Sequence, residues 1–598
     1  MYALGVSCYY HDAAAALLHD GVLVAAAEEE RFSRLKHDYR FPTNAIRFCL
    51  EQVGIAGNDL DYVVFFEKPF RKFDRILMTA LQTYPRSWKV FRESMISWMI
   101  DKLWVGTTLQ SELGISKEKV LFCEHHLSHA ASAYLCSPFD EAAILTVDGV
   151  GEWVTATCGV GLGNEIRLSK QIEFPHSIGL LYSAFTAFLG FEVNEGEYKV
   201  MGMAPYGVPR YVEKVWKVVH QNRDGSFSLD MDYFCFHEST ERTYNRKFVS
   251  LFGEPRPAKL QFFTKETGFP KNFGDPPGNY DELCKLNQHY ADVAASIQRV
   301  TEELLLNMAN HLHRETGLKR LCIAGGVGLN SVANTRILKE TGFEQVFVQP
   351  AAGDGGGALG AALWAYNSLR GKPRSFTMRH AYWGRSNSEA QIGDFLRQNA
   401  IPFRYFDDDD ELLNHVVEGL AQGKVIGWSQ GRFEWGPRAL GNRSILADPR
   451  NPEMKDIVNS KIKFREPYRP FAPSVLAECA EQYFDLAQAQ YHDPARYMLY
   501  VVPVRESHRS TLPAITHVDG TARLQTVFGD QSPRYYRLIE RFGQATGVPV
   551  LLNTSFNLKG EPIVNTPADA FQTFFNSEID ALVLENYCVD KAQVRPHG

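Results

Sequence analysis

The chain has 598 residues, 45% hydrophobic and 22% charged, with 63 lysines and arginines against 70 aspartates and glutamates, a formal charge of −7. At roughly 100–200 residues per domain this length predicts two to four domains, and the composition excludes disordered, collagen-like and fibrous classes. A mildly acidic chain is a poor match to broad binding along a nucleic-acid backbone, so no nucleic-acid partner is expected, although a basic pocket can be held locally.

The ten cysteines stand apart and form no CxxC pair, which offers neither a disulfide framework nor a thiolate zinc site and fits a reducing cytoplasm. Read from Met1, MYALGVSCYYHD has no basic n-region and no long apolar run, so no secretory signal is expected. The longest apolar-leaning stretch, SIGLLYSAFTAFLGF at 177–191, carries hydroxyls and falls short of the roughly 18–20 residues that span a bilayer. It reads as a buried helix, and no membrane partner is expected.

In chain order, strand-like runs alternate with helical patterns: YALGVS, AAAALLHDG and VLVAAAEE, then the helical TNAIRFCLEQVG, and later DYVVFF at 61–66, AAILTVDG at 142–149, RLCIAGG at 320–326 and QVFVQP at 345–350. That alternation predicts an α/β architecture. His19-Asp20-Gly21 reads as the Asp-Gly turn of an opening hairpin. VGEWVTATCGVG after Asp148 repeats the style, which predicts two related halves, each opening with a hairpin whose turn can face a phosphate. The stretch 207–285 is irregular and rich in aromatics, Pro and Gly, and reads either as a surface insertion or as a cover for an acceptor. A helix is predicted over 288–314. The Gly, Pro and basic mixture at 368–386 marks the domain boundary, giving domains at 1–375 and 376–598, and the α/β rhythm restarts at VIGWSQG.

Three groups of residues carry chemistry. In EHHLSHAASAY, His125 and His129 are four apart, which on a helix stacks both imidazoles on one face at the spacing a divalent metal needs, while His126 points elsewhere. Alone, that pattern also fits ordinary helical histidines. Asp148, at the end of AAILTVDG, and Asp354, directly after QVFVQP, add two carboxylates at strand ends, where open α/β sheets meet ligands. Two histidines and two carboxylates suit a first-row divalent ion that keeps positions open for phosphate oxygens. The second group is glycine-rich: IAGGVGLN at 323–330 and DGGGALGAA at 354–362 each lead from a strand into a helix, where a nucleotide can approach the backbone or where the glycines serve only tight turns. The third runs from Arg432 to Arg469 and holds nine cations against five anions, interleaved with Gly, Pro and apolar residues as in GPRALGNRSIL and REPYRPFAPSV. It reads as a solvated face or as arginines held in a cleft for a small phosphate. HVDGTARLQTV, with Arg523, and VPVLLNTSFNLKGEPIV, with Asn553 and Asn557, also resemble site linings.

The opening LGVSCYYHDAAAALLHDG with EEERFSRLKHD, then EHHLSHAASAY, LTVDGVGEW, NEGEYKVMGMAPYG, IAGGVGLN, GPRALGNRSIL, KFREPYRPFAPSV, HVDGTAR and NTSFN, together and in order over nearly the whole chain, resemble the O-carbamoyltransferases of nodulation-factor, cephem and aminoglycoside biosynthesis. The resemblance implies an N-terminal actin-like ATPase (ASKHA) domain of two related halves and a C-terminal YrdC-like α/β domain. It implies that carbamoyl phosphate loses phosphate in the C-terminal domain, that the carbamate passes internally to be adenylated by ATP, and that a hydroxyl of a small-molecule or sugar-containing natural product takes the carbamoyl group and releases AMP. By the same resemblance His125, His129, Asp148 and Asp354 match a metal motif whose ion is expected to be Fe(II), with Mn, Zn or Mg also admitted by the donors. Gly325, Gly326, Asn330, Gly355 and Gly356 match the nucleotide loops. His11 and Lys36 match the opening motifs and are expected to face the reacting carbamoyl group. Lys461, Arg465, Arg469, Arg523, Asn553 and Asn557 are the candidates for the carbamoyl phosphate pocket. A tRNA-modifying threonylcarbamoyl transferase of the same superfamily would need an extended basic face. A nucleotide-binding scaffold without turnover would need only one of the metal tetrad and the basic cluster, so the presence of both disfavours it.

Overall fold

The computed structural model describes residues 1–594 except 101, 271–273, 464 and 467; at 97, 99, 100 and 461 it describes the backbone alone. The chain divides into two compact units, one made of Met1–Val24 and Tyr39–Met378, the other of Ala25–Asp38 and Arg379–Gly598.

The first unit contains two five-stranded sheets. β1 (Tyr2–Ser7), β2 (Ala14–His19), β3 (Val22–Glu28), β4 (Tyr62–Phe65) and β5 (Val120–Phe122) lie in the order β3-β2-β1-β4-β5. β6 (Glu141–Val147), β7 (Val154–Leu162) and β8 (Glu165–Glu173) precede a small hairpin of β9 (Val219–Gln221) and β10 (Phe227–Leu229), and β11 (Arg320–Ala324) and β12 (Gln345–Val348) complete a second sheet ordered β12-β11-β6-β7-β8. Read from its own first strand, each sheet has the order 3-2-1-4-5, with strand 2 antiparallel and strand 4 parallel to strand 1. The two related halves expected of an actin-like ATPase domain are therefore present. β1 and β6 are buried almost end to end, as strands covered on both faces must be. β8 alternates polar and half-buried residues, as suits an edge.

One expectation about these halves needs correction. Asp20 and Gly21, at φ 48° and 80°, do form the predicted tight turn, but it joins β2 to β3. The first-half counterpart of the 148–153 turn is residues 8–13, at the other end of β2. Asp20 instead binds the amino terminus at 2.7 Å. The Asp-Gly pair is the stronger local turn signal, whereas the 8–13 turn reaches positive φ at Tyr9 and Asp12 without any glycine.

Glycines set how closely the layers approach. The Asp354–Leu363 helix lies across β1 and along the His125–Tyr134 helix. A Cβ on Gly5 would fall 1.7 Å from the Ala358 carbonyl oxygen, and one on Gly360 would fall 1.8 Å from that of Ser128. The predicted buried helix spans Ile178–Phe188. The helix predicted over 288–314 runs from Tyr280 to Thr316, so it begins inside the stretch read as irregular. Earlier in 207–285, Phe248 and Phe252 are buried, each 4.9 Å from the Phe185 ring.

The second unit is built on a nine-stranded mixed sheet. Its strands are β13 (Arg404–Tyr405), β14 (Ile426–Ser429), β15 (Arg443–Ala447), β16 (Ala472–Leu476), β17 (Tyr500–Pro503), β18 (Thr521–Val527), β19 (Val550–Ser555), β20 (Ala581–Leu584) and β21 (Tyr587–Asp590), in the order β13-β21-β20-β14-β15-β19-β16-β18-β17. Trp428, Leu446, Leu551 and Val583 from the sheet meet Leu412, Leu538 and Phe542 from helices in its core. The early segment Ala25–Asp38 is laced into this unit: Arg31 is fully buried and donates to the Gly436 carbonyl at 2.7 Å, while Glu28 accepts from the Gly436 N–H at 2.7 Å. Arg34 donates to the carbonyls of Ile563 and Pro562.

Because the Gly360–Ser128 contact leaves no room for a methyl group, Gly360→Ala should destabilise the first unit by about 1–3 kcal/mol. Calorimetry should show a lowered melting transition for that unit; an unchanged one would refute so close an approach.

Candidate active site

The His125–Tyr134 helix lacks a side-chain cap from its N-cap residue, Glu124. Its first N–H groups are served from a distance: the Glu152 carboxylate accepts from His125 N–H at 3.0 and 3.2 Å and from Lys68 N–H at 2.8 Å. A carboxylate there also complements the positive end of the helix dipole. With that end fixed, the i, i+4 spacing brings His125 and His129 together, their Nε2 atoms 3.0 Å apart. Asp148, one residue beyond β6, places Oδ2 3.0 Å from His125 Nε2 and 3.7 Å from His129 Nε2. Asp354, the first residue of its helix, places Oδ1 3.7 and 3.6 Å from the same nitrogens. All four side chains are buried, and one donor atom from each lies within 4.8 Å of the others.

Two bare imidazole nitrogens at 3.0 Å repel, so a proton or a cation must lie between the lone pairs. Burial disfavours the imidazolium, but hydrogen bonds and charge from Asp148 and Asp354 outweigh it and raise His129 to about 9. In return, the histidines overcome the effect of burial and hold the Asp148 carboxyl well below its usual range. Asp354 Oδ2 and the Nδ1 atoms of both histidines are buried without hydrogen-bond partners. His126 is not part of this group. Its ring bonds the Thr146 hydroxyl at 2.6 Å and the Val154 carbonyl at 2.9 Å, and burial pushes it well down.

The glycine-rich turns frame the tetrad. Gly325, at φ 93°, lies against the end of β6, where a Cβ would meet the Val147 carbonyl oxygen at 2.2 Å. The adjacent Gly326 N–H donates to Asp148 Oδ1 at 2.9 Å. Asn330 caps the Ser331–Glu340 helix and bonds Gln298. Gly355 and Gly356 form the buried first turn after Asp354, and a Cβ on Gly356 would strike the Ala351 carbonyl oxygen at 2.0 Å. In the 8–13 turn, His11 Nδ1 lies 2.7 Å from Asp12 and Nε2 donates to the Asn194 carbonyl at 3.2 Å. Burial opposes its protonation, but Asp12, and more weakly Asp354, raise it to about 9. Burial and the charges of Asp148 and Asp354 push the Tyr10 phenol up, which places that ring in the field of the tetrad.

In the second unit the basic stretch separates into two populations. Arg443 is buried and donates to four backbone carbonyls, Arg432 donates to those of Trp383 and Gly384, and Arg450 pairs with Asp448, so these three hold the fold. Arg438, Arg465, Arg469 and Arg523 converge: after burial, the charges of the other three are what most lower Arg523. Lys463 belongs with them. Its ammonium donates to the carbonyl and hydroxyl of Ser555 and to the carbonyl and side-chain oxygen of Asn557, and it is pushed well down by burial, by Arg465 and Arg469, and by Lys36 among weaker causes. His11 and Lys36 thus belong to different units. Arg465 is oriented by Asn459 at 2.7 Å and Arg469 lies 3.6 Å from Glu466. Asn553 sits inside the sheet, donating to Gln525, Ser474 and the Ala439 carbonyl, so its amide supports the loop bearing Arg438. The Lys461 side chain lies outside the described residues.

Sequence reasoning missed Lys463 and Arg438 as members of this cluster, although both stand in the basic stretch. The missing signal for Lys463 is the oxygen-rich NTSFN segment, which lies far along the chain but holds its ammonium. Glu152 and Tyr10 carried no local signal at all.

The model of the carbamoyltransferase N-terminus matches residues 2–363, and that of the carbamoyltransferase C-terminus matches residues 417–591. The nodulation protein NolNO of Sinorhizobium fredii is 37% identical over 98% of this chain and 80% of its own length. An uncharacterised protein of Synechocystis sp. is 47% identical over 98% and 96%. The 3'-hydroxymethylcephem-O-carbamoyltransferase of Streptomyces clavuligerus is 37% identical over 51% and 54%. Among solved structures, component A of the Acidaminococcus fermentans (R)-2-hydroxyglutaryl-CoA dehydratase covers 62% of this chain and 99% of its own at 12% identity and a TM-score of 0.29, a likeness too distant to add to the assignment. The chain belongs to the carbamoyltransferase family.

Proposed function

We propose that the protein is an ATP-dependent O-carbamoyltransferase of the cytoplasm, with one half of the reaction in each unit. The observation that carries this reading is that each unit gathers the donors for a different charged ligand: two histidines and two carboxylates, whose nitrogen and oxygen atoms suit a cation, in the first, and four arginines with Lys463, which suit an anion, in the second.

In the second unit carbamoyl phosphate lies among Arg438, Arg465, Arg469, Arg523 and Lys463. Guanidinium groups donate in pairs to phosphate oxygens, and the mutual repulsion of these cations is relieved when the anion binds. Lys463, held by Ser555 and Asn557, keeps its donors in a fixed direction, and Lys36 adds charge beside it. Water attacks as the bond between the carbamoyl group and phosphate is hydrolysed, so phosphate leaves and carbamate remains. In the first unit ATP lies between the Gly325–Asn330 turn and the N-terminus of the Asp354–Leu363 helix, where the Gly355 N–H favours anionic oxygens. A carbamate oxygen attacks the α-phosphorus as the bond to pyrophosphate breaks, giving carbamoyl adenylate. The hydroxyl of a small-molecule or sugar-containing natural product then attacks the carbamoyl carbon and AMP leaves. His11, kept protonated by Asp12 and oriented by the Asn194 carbonyl, faces the carbamoyl group.

The tetrad fits a divalent cation: its donors are nitrogen and oxygen, one atom of each converges, and Asp354 Oδ2 is buried without a partner. His125, His129, Asp148 and Asp354 hold the ion, Fe(II) being the assignment proposed, and Mn, Zn and Mg share the donor preference. When bound, such an ion withdraws charge from phosphate oxygens.

Incubation with ATP, carbamoyl phosphate and a panel of hydroxylated acceptors should yield AMP and pyrophosphate; ADP as the only nucleotide product would overturn the reading. His129→Ala should lower AMP formation by roughly a hundredfold or more while phosphate release from carbamoyl phosphate persists, and equal loss of both in a folded variant would refute the division between units. The His129 proton competes with a cation. Because His129 is raised, that proton is bound through neutral pH and lost only as pH rises through about 9. Titration with Mn²⁺ should therefore show affinity rising roughly tenfold per pH unit from pH 7 to 9 with release of about one proton, and a pH-independent affinity would contradict the assignment.

A further inference from the structure

Asn330 ends the Gly325–Asn330 turn and caps the Ser331–Glu340 helix, its side-chain oxygen accepting from the Ala333 N–H at 3.2 Å. A cap needs only an acceptor oxygen, and aspartate or serine would serve as well. Here the other end of the amide is fixed too. Gln298, on the Tyr280–Thr316 helix, pairs with it reciprocally: Gln298 Nε2 donates to Asn330 Oδ1 at 3.1 Å, and Asn330 Nδ2 donates to Gln298 Oε1 at 3.2 Å. Gln298 is 4% exposed and its amide is fully used, since Nε2 also donates to Glu302 Oε1 at 2.8 Å and Oε1 also accepts from the Tyr182 hydroxyl at 2.8 Å.

Glu302 decides which way round these amides lie. Arg336 donates to Glu302 Oε2 at 2.8 Å, so both carboxylate oxygens act as acceptors and Gln298 must turn its NH2 group toward them. Arg336 is itself anchored by Glu303 and Glu340. From Arg336 the polarity passes through Glu302 and Gln298 to Asn330. There Oδ1 is occupied by Gln298 and the Ala333 N–H, while Nδ2 keeps one N–H that meets no partner among the described residues. The same turn carries Gly326, whose N–H holds Asp148, so the remaining donor belongs to the backbone segment that frames the tetrad.

We propose that Gln298 is a positioning residue that holds Asn330 with its remaining N–H toward an oxygen of the bound nucleotide; this rests on the assignment of the Gly325–Asn330 turn to ATP. In Gln298→Glu an oxygen would face both Glu302 and Asn330 Oδ1, and the Asn330 amide would turn its NH2 group inward and its oxygen outward. Two buried carboxylates side by side also repel, so the decisive variant is the exchange of Gln298→Glu with Glu302→Gln. It keeps the net charge and a 298–302 hydrogen bond, yet still offers Asn330 acceptors only.

With ATP varied against carbamoyl phosphate and the acceptor panel, the exchange variant should raise the KM for ATP about tenfold or more. Its kcat should stay within about threefold of the parent's, as when an interaction is lost equally from ground and transition states, and its melting transition should be unchanged. The ATP dissociation constant, measured by calorimetry without acceptor, should rise by the same factor. Asn330→Ala should raise the KM as well, and adding the exchange to it should raise it no further, because Gln298 acts through Asn330. A parent-like KM in the exchange variant, a loss that adds to that of Asn330→Ala, or a fall in kcat together with the melting transition would overturn the role of Gln298 while leaving the ATP site standing. A parent protein that binds no ATP would overturn both.

Discussion

The arrangement of the first unit follows from one requirement: two carboxylates from separate segments must reach two imidazoles that are only 3.0 Å apart. Asp148 arrives at the end of a buried strand, which fixes it within the sheet. Asp354 arrives on a helix, and that helix has to lie unusually near both β1 and the histidine helix. Side chains of ordinary size would hold the layers apart and pull Asp354 off the cluster. Gly5 and Gly360 remove that obstacle, and Gly325 does the same where its backbone meets the end of β6. The small residues of DGGGALGAA thus set a distance between layers, and the geometry of the tetrad depends on that distance.

In the second unit the limiting quantity is charge. Arginines cannot escape mutual repulsion by losing a proton, so their positions must be enforced by the rest of the fold. Asn459 holds Arg465, and the buried Glu434 accepts from the backbone N–H groups of Leu440, Asn442 and Arg443, around the loop that carries Arg438. Lys463 can lose its proton, and its four oxygen contacts counter that tendency.

Much of this was legible in the sequence wherever the signal was local. The i, i+4 histidines announce a shared helix face, an aspartate after an apolar run announces a strand end, and the alternation of elements announces the α/β class. Other features were legible only in part. Glycine-rich turns were visible, yet the division between glycines that admit a ligand and glycines that admit a neighbouring helix depends on which element crosses them. Asp20-Gly21 was visible as a turn, yet its end of the strand followed from the sheet order alone. The nine cations looked like one cluster because contiguity in sequence does not distinguish a guanidinium fixed on backbone carbonyls, as in Arg443, from one facing its own kind, as in Arg523. Glu152 was invisible because its partners lie dozens of residues away.

The early segment Ala25–Asp38 belongs to the unit completed by the far end of the chain. During synthesis, at about 5–20 residues per second, this segment emerges first and must wait while hundreds of residues are made before Gly436 exists to receive Arg31 and Glu28. Until then two side chains destined for burial remain in water, and the strand β3 that leads into them is anchored on one side only. The closing loop is long, but its entropic cost grows only with the logarithm of its length. The first unit can therefore fold in translation order, whereas the second is completed only when a segment made at the start is recaptured at the end.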